Sequence, residues 1–247
     1  KQYRASTVVA GVNPRLLFDR LVPAGAVGPE VERHFRHWQC ESATFRMNVA
    51  LSRLPSFTAK PGRGHHLTGG IILAPSIDYM DRAFHDAGRV GWSRRPVVEM
   101  LVPSTLDGSL SPRGKHVASL FCQHFRFELP DGRSWDAERE AAADAILDTV
   151  EEHAPGFKQS VIARQIHSPL DLERRFGLVG GDIFHGKMGL DQLFSARPML
   201  GHSNYRMPLG GLYLCGAGAH PGGGVTGAPG HNAAMAVLAD RRLWGRR

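Results

Sequence analysis

Seven of the fifteen residues from Gly216 to Gly230 are glycine. So dense a run lets the backbone take positive φ and bring its N–H groups against a ligand with no side chain between them. The apolar stretch Leu212 to Cys215 precedes it and fits a short buried strand. Pro229 follows at a position suited to the first turn of a helix, and Asn232 to Leu238 are mostly good helix formers. Strand, bare loop and helix N-terminus together favour negative charge, by about 0.3–1 kcal/mol per exposed charge and more where water is excluded. That is the chemistry of a dinucleotide's phosphates or polar ring held by backbone. From spacing alone, a structural turn is an equally good account.

Gly222, Gly224 and Gly227 also satisfy G-x-G-x-x-G, the first-turn fingerprint of a dinucleotide-binding βαβ unit. Such a unit needs a second strand and an acidic residue about 20 positions further on. Here the only acidic residue after Gly227 is Asp240, inside the expected helix, so the match is a decoy.

Other chemistry is thinner. Gly180 to Gly186 is a polar, glycine-rich loop in which Asp182 suits a turn cap and His185 carries an imidazole that ordinarily titrates near neutral pH and can move a proton. Asp191, Gln192 and Arg197 beyond it suit structural roles as well as functional ones. His34, His37 and Cys40 recur at three-residue spacing and His65-His66 sit in a glycine loop, but the other histidines are scattered singly. Zinc needs three or four converging ligands, so no metal site is expected. A nucleophile elbow G-x-S-x-G and a redox-active C-x-x-C pair are both absent from the sequence.

The segment LYLCGAGAHPGGGVTGAPGHNAA at 212–234 resembles the C-terminal FAD motif of the phytoene-desaturase-like flavoprotein oxidoreductases, nearest to their pyridine nucleotide-disulfide oxidoreductase branch. VEMLVPSTLD at 98–107, GKHVASLFCQ at 114–123 and GDIFHGKMGLDQLFSARP at 181–198 extend the resemblance over nearly the whole chain. It implies an FAD-dependent oxidoreductase, with Gly216, Ala217 and Gly218 beside the ribityl-phosphate portion and Gly224, Val225, Thr226 and Gly227 at the flavin's pyrimidine end. His185 is then the candidate proton-moving residue, in a loop shaping the substrate cavity, and the substrate is expected to be apolar or lipid-like.

The same resemblance implies an α+β fold: a mixed-sheet substrate-binding domain at 26–205, flanked by a late strand and crossover of the FAD-binding domain at 1–25 and that domain's last strand, glycine loop and helix at 206–247. The family's pyrophosphate-binding βαβ has no counterpart in these residues, so the sequence is expected to be the C-terminal half of a longer enzyme, inactive alone. A non-catalytic interaction module with the same fold and no cofactor is the alternative.

The elements that must position these groups follow from periodicity and punctuation. Strands are expected at Thr7–Val12, Thr44–Leu51, Leu67–Leu73, Val97–Val102, Val117–Leu129 and Ser160–Ile166, and helices at Arg15–Leu21, Val31–Trp38, from a Ser76 cap to Ala87, Asp136–Glu152 and Pro169–Phe176. Phe45, Met47, Val49 and Leu51 alternate onto one side of their strand, as Ala143, Ile146, Leu147 and Val150 share a helix face. The substrate cavity is expected to be mainly apolar and built from Thr44–Leu51 and Val117–Phe127.

The chain has 247 residues, 42% of them hydrophobic, enough for a sizeable core. No apolar run approaches the ~18 residues of a transmembrane helix. Three widely spaced cysteines suit reduced thiols in an intracellular setting, the cytoplasm of a bacterium or the mitochondrial matrix of a eukaryote. A net charge of +7 raises nucleic acid as a partner, but the arginines are scattered and lack interleaved aromatic residues, so none is expected. Oligomeric state is left open. The arginine pairs Arg241-Arg242 and Arg246-Arg247 suit the negative end of the last helix.

Overall fold

The computed structural model describes residues 1–244, so Arg246 and Arg247 lie outside the described residues, while Arg241 and Arg242 do fall in the last turn of the final helix. In chain order the strands are β1 (Val8–Ala10), β2 (Thr44–Leu51), β3 (Ile71–Leu73), β4 (Trp92–Leu101), β5 (His116–Phe125), β6 (Val161–His167) and β7 (Leu212–Leu214). The α-helices are α1 (Pro14–Leu16), α2 (Pro29–Arg36), α3 (Ile77–Val90), α4 (Trp135–His153), α5 (Phe157–Ser160), α6 (Pro169–Phe176) and α7 (Ala228–Trp244). The backbone divides into two compact units, one of residues 1–42 with 176–247, the other of 43–175. These cuts fall elsewhere than the spans expected from the resemblance, 1–25, 26–205 and 206–247. No helix among the described residues is long and apolar enough to cross a membrane.

The 43–175 unit is a five-stranded sheet in the order β3-β4-β5-β2-β6. Every pairing is antiparallel, so the expected mixed sheet is not formed. A helix between two strands does not make them parallel: α3 lies between β3 and β4, and the chain still returns antiparallel beside the strand it left. Phe45, Met47, Val49 and Leu51 are all buried, paired across β2 and β5 with Cys122, Leu120, Ala118 and His116. The α4 residues Ala143, Ile146, Leu147 and Val150 join them in one core. Period two on the strand and period 3.6 on the helix thus meet on a single apolar layer.

Departures from the expected elements have local causes. β5 ends at Phe125 rather than Leu129, because the Trp135 indole N–H takes the carbonyls of Arg126 and Phe127 at 2.9 and 3.1 Å and draws the chain off the sheet. β4 begins five residues early, at Trp92, with a register shift before Val97 that accommodates Pro96. The strand expected at Leu67–Leu73 shrinks to β3, since His65–Leu67 forms a 3₁₀ turn and Gly69-Gly70 adds no side chain to pack. α3 is capped by Ser76 as expected, its hydroxyl accepting from Tyr79 N–H at 3.1 Å, and runs three residues past Ala87 to stop at Gly91 in the left-handed region.

In the other unit β1 and β7 form a two-stranded parallel pair. Around it Leu17, Phe18, Phe35, Trp38, Met207, Leu212, Leu214 and Ala219 make a second core, with Phe18 and Phe35 stacked at 4.2 Å between ring centroids. α7 is tied to β7 by Asp240, whose carboxylate accepts from Tyr213 Oη at 2.7 Å and from both Nε and Nη2 of Arg206 at 2.8 Å. Asp240, the acidic residue that follows the decoy fingerprint, is therefore a structural clasp.

Candidate functional site

The glycine loop runs from the end of β7 to the start of α7, as its strand-loop-helix pattern predicts. It divides into two parts with different physics. In the first, glycine is required by packing. A β-carbon at Gly216 would stand 2.8 Å from the Gly11 carbonyl oxygen, at Gly218 2.4 Å from Pro14 Cδ, and at Gly223 2.2 Å from Phe184 Cδ1.

In the second part nothing outside the loop crowds the backbone. Gly224, Val225 and Gly227 take φ of 130°, 57° and 71°. A β-carbon at Gly227 would meet no atom within 4 Å, and at Gly224 only Thr226 Cγ2 at 3.7 Å. Val225 is fully exposed, although a β-branched residue in the left-handed region is an outlier. Thr226 Oγ1 accepts from Ala228 N–H at 3.2 Å and fixes the entry to α7. Glycine takes positive φ freely, so Val225 is the one strained residue of this part; other exposed residues, Asp131 and Phe194, also stand at positive φ.

The loop Gly180 to Gly186 is held against the first part of the glycine loop by Arg197, which sequence reasoning left undecided. Arg197 is fully buried and donates to four backbone carbonyls: Ala217 from Nε and Nη2 at 3.1 and 2.7 Å, Phe184 and Gly186 from Nη2 at 2.8 and 3.2 Å, and Gln192 from Nη1 at 3.2 Å. Its guanidinium lies 5.7 Å from the Trp38 ring, whose Nε1–H donates to the His185 carbonyl at 3.0 Å. Gly186 has to be glycine, at φ 149° with Trp38 Cζ2 2.4 Å from where a β-carbon would stand. Asp182 caps the turn, accepting from Phe184 and Gly186 N–H at 2.7 and 2.8 Å, and burial nevertheless raises its carboxyl above the ordinary range. Gln192 bridges to Gln39, accepting from its N–H at 2.8 Å and donating to its carbonyl at 3.0 Å, whereas Asp191 is exposed. Trp38 and Arg197 carry no local motif that marks them as partners.

His185 contributes its carbonyl to this network, while its ring Nδ1 is buried with no hydrogen-bond partner. Burial, helped by the Arg197 charge, lowers its pKa. The neutral imidazole is thus favoured relative to a solvent-exposed histidine. His116, His124 and His167 are likewise depressed, in each case chiefly by burial. A histidine whose folded pKa lies below its unfolded value of about 6.5 binds more protons when unfolded, so its stabilisation is complete above that value and is lost as pH falls below it. The urea midpoint is therefore expected to fall between about pH 7 and 5, less steeply in His185→Gln.

The metal-spaced residues go separate ways: His34 Nε2 lies 2.8 Å from the Pro198 carbonyl, His37 Nδ1 2.8 Å from that of Arg33, and Cys40 Sγ accepts from Asn13 Nδ2 at 3.3 Å. No group of three potential metal ligands occurs among the described residues. Burial pushes the Cys40 thiol up to about 11 and raises Cys122 and Cys215 as well, so none of the three is a ready thiolate.

The apolar residues Phe45, Met47, Val49 and Leu51 and their partners on β5 are consumed by the core, so any cavity on this sheet is lined from the other side, by Arg46, Asn48, Ala50, Val117, Ser119, Phe121 and Gln123. Arg46 Nη2 donates to Ser119 Oγ at 3.0 Å and its guanidinium lies 5.2 Å from the Phe121 ring centroid.

No protein-family model matches the chain. Pyridine nucleotide-disulfide oxidoreductase domain-containing protein 2 of Rattus norvegicus is 42% identical over 247 residues, covering 97% of this chain and 42% of the relative. The 4,4'-diapophytoene desaturase (4,4'-diaponeurosporene-forming) of Staphylococcus aureus is 30% identical over 145 residues, covering 54% of this chain and 26% of that protein. An oxidoreductase structure from Methanosarcina mazei aligns with a TM-score of 0.55 at 16% identity, covering 97% of this chain and 44% of that one, a likeness of fold. The chain spans about two fifths of the length of the first curated relatives it matches.

Proposed function

The chain belongs to the family of pyridine nucleotide-disulfide oxidoreductase domain-containing protein 2, and from that premise we propose that it supplies the substrate-binding domain and the C-terminal part of the FAD site of a flavin-dependent oxidoreductase. The observation that carries this is the uncrowded backbone from Gly224 to Gly227 at the mouth of α7, with the left-handed Val225 fully exposed in it. Those residues fit a flavin edge approached by bare peptide. Gly216, Ala217 and Gly218 are assigned to the ribityl-phosphate portion, and Gly224, Val225, Thr226 and Gly227 to the pyrimidine end, where N–H groups stabilise negative charge. When bound, the flavin supplies a hydride acceptor for a substrate C–H bond.

The protein's own residues position and exclude water. Arg197 keeps the Gly180–Gly186 loop against Ala217, so that displacing either loop displaces both. His185, whose neutral form burial favours, is proposed to accept a proton during substrate oxidation. His185→Gln should then slow flavin reduction by substrate and flatten its pH profile while leaving flavin content unchanged. An unaltered rate and profile would make the residue structural.

An apolar substrate is proposed from the desaturase relative. The polar side of the sheet, with Arg46 held by Ser119, is assigned to a polar substituent on it. Residues 1–25, 26–205 and 206–247 keep their proposed roles as FAD-domain strand and crossover, substrate domain and FAD-site closure.

These 247 residues hold no glycine turn with a following acidic residue for pyrophosphate and ribose. Titrating FAD fluorescence with the isolated chain is expected to give no stoichiometric binding. Tight one-to-one binding would contradict this division of labour.

A further inference from the structure

We propose that the cavity between α3 and the start of β4 binds a small oligophosphate of the pyrophosphate kind, separately from the flavin loop. The cavity measures about 390 Å³, within the range of small-molecule sites. Arg82, Arg89, Arg94 and Arg95 all line it, against the single lining carboxylate of Asp86.

The helix and strand bring these arginines together by their own periodicity. α3 turns Tyr79, Ala83 and Ala87 inward, which leaves Arg82 and Arg89, two turns apart, on one exposed face. After the Gly91 turn, Arg94 and Arg95 open β4, and the Asp86 carboxylate accepts from Arg94 N–H at 2.8 Å, tying the strand to the helix.

The four guanidinium groups are not equally committed. Arg95 is ion-paired with Glu152 and lies 5.7 Å from the Tyr79 ring centroid. Arg82 gives its Nε–H to the Asp78 carbonyl at 3.2 Å and keeps both Nη groups. Neither Arg89 nor Arg94 has a side-chain partner among the described residues. Setting Asp86 and Glu152 against the four arginines leaves an excess of two positive charges. Asp78 and Asp81 do not line the cavity, and Asp81 faces His85 at 3.5 Å. The walls of so small a cavity lie within about one Debye length of its centre, about 8 Å at physiological salt, so the charges act together.

Guanidinium forks match phosphate oxygens in pairs, and these charge-assisted bonds are the strong ones. A carboxylate monoanion occupies one fork. Pyrophosphate carries several charges and a free phosphate at each end, enough for Arg89 and Arg94 together. FAD has no free phosphate end, since each of its phosphates is esterified to a bulky group, so it does not suit this site.

Calorimetric titration of the full 247-residue chain with inorganic pyrophosphate and with acetate tests this. Pyrophosphate is expected to bind saturably at one site, at least tenfold tighter than acetate, and FAD not to displace it. Arg89→Gln and Arg94→Gln, both at exposed positions, should each weaken it about tenfold with an unchanged circular dichroism spectrum. Arg20→Gln removes the same charge from the other unit and should leave the affinity unchanged. Absent saturable binding, equal affinity for acetate, displacement by FAD, wild-type affinity in either cavity variant, or an equal loss in Arg20→Gln would overturn the proposal.

Discussion

Arg197→Met is expected to lower the free energy of unfolding by about 3–5 kcal/mol, the range found when a buried charge network is broken from one side. Methionine keeps much of the side-chain stem and removes every donor. The carbonyls of Phe184, Gly186, Gln192 and Ala217 would then lose the partner they share, around a side chain closed to solvent. Each hydrogen bond to a charged group contributes roughly 1.5–3 kcal/mol, and the unmet carbonyls add their own penalty. Arg197→Lys should recover less than half of the loss, since a point-like ammonium cannot reproduce a planar fork. Urea unfolding of the isolated chain measures both. A loss below about 1 kcal/mol in the methionine variant would mean that the two loops are held by something else.

The second large effect separates the two halves of the glycine loop. Gly223→Val should destabilise the isolated chain by about 1–3 kcal/mol or more, because its β-carbon falls 2.2 Å from the Phe184 ring and the ring must move. Gly227→Val meets no neighbour and should cost only the left-handed backbone, about 1–2 kcal/mol. Flavin retention should report the opposite order of specificity. In a fusion of this chain to the part of the rat relative it does not cover, Gly227→Val is expected to fold and yet keep at least tenfold less flavin. Gly223→Val should lose flavin only in proportion to folded protein.

Much of this was legible in the residues themselves. The alternation of Phe45, Met47, Val49 and Leu51 and the helical face of Ile146 and Val150 define the same core that the structure builds, because burial obeys the periodicity of the backbone. Ser76 marks the start of α3 by chemistry that acts within a few residues, whereas the helix ends at Gly91, past the expected Ala87. The misjudged features depend on distant partners. The end of β5 is set by Trp135, ten residues on, and the early start of β4 is hidden by Arg94, Arg95 and Pro96, which interrupt the apolar pattern. In the candidate site the glycines announced themselves, whereas the clamp that orders them did not. Arg197 looks like any arginine until the fold brings carbonyls from three separate stretches around it. The same burial and the Arg197 charge lower the pKa of His185, which sequence could only assign its ordinary value.

The central claim is that Gly224 to Gly227 forms part of a flavin site, and the visible absorption spectrum of the purified fusion tests it most directly. Wild-type fusion protein is expected to carry flavin near one equivalent, and Gly224→Val and Gly227→Val to be nearly colourless while giving the wild-type circular dichroism spectrum. Equal flavin content in all three proteins would return the loop to a structural turn.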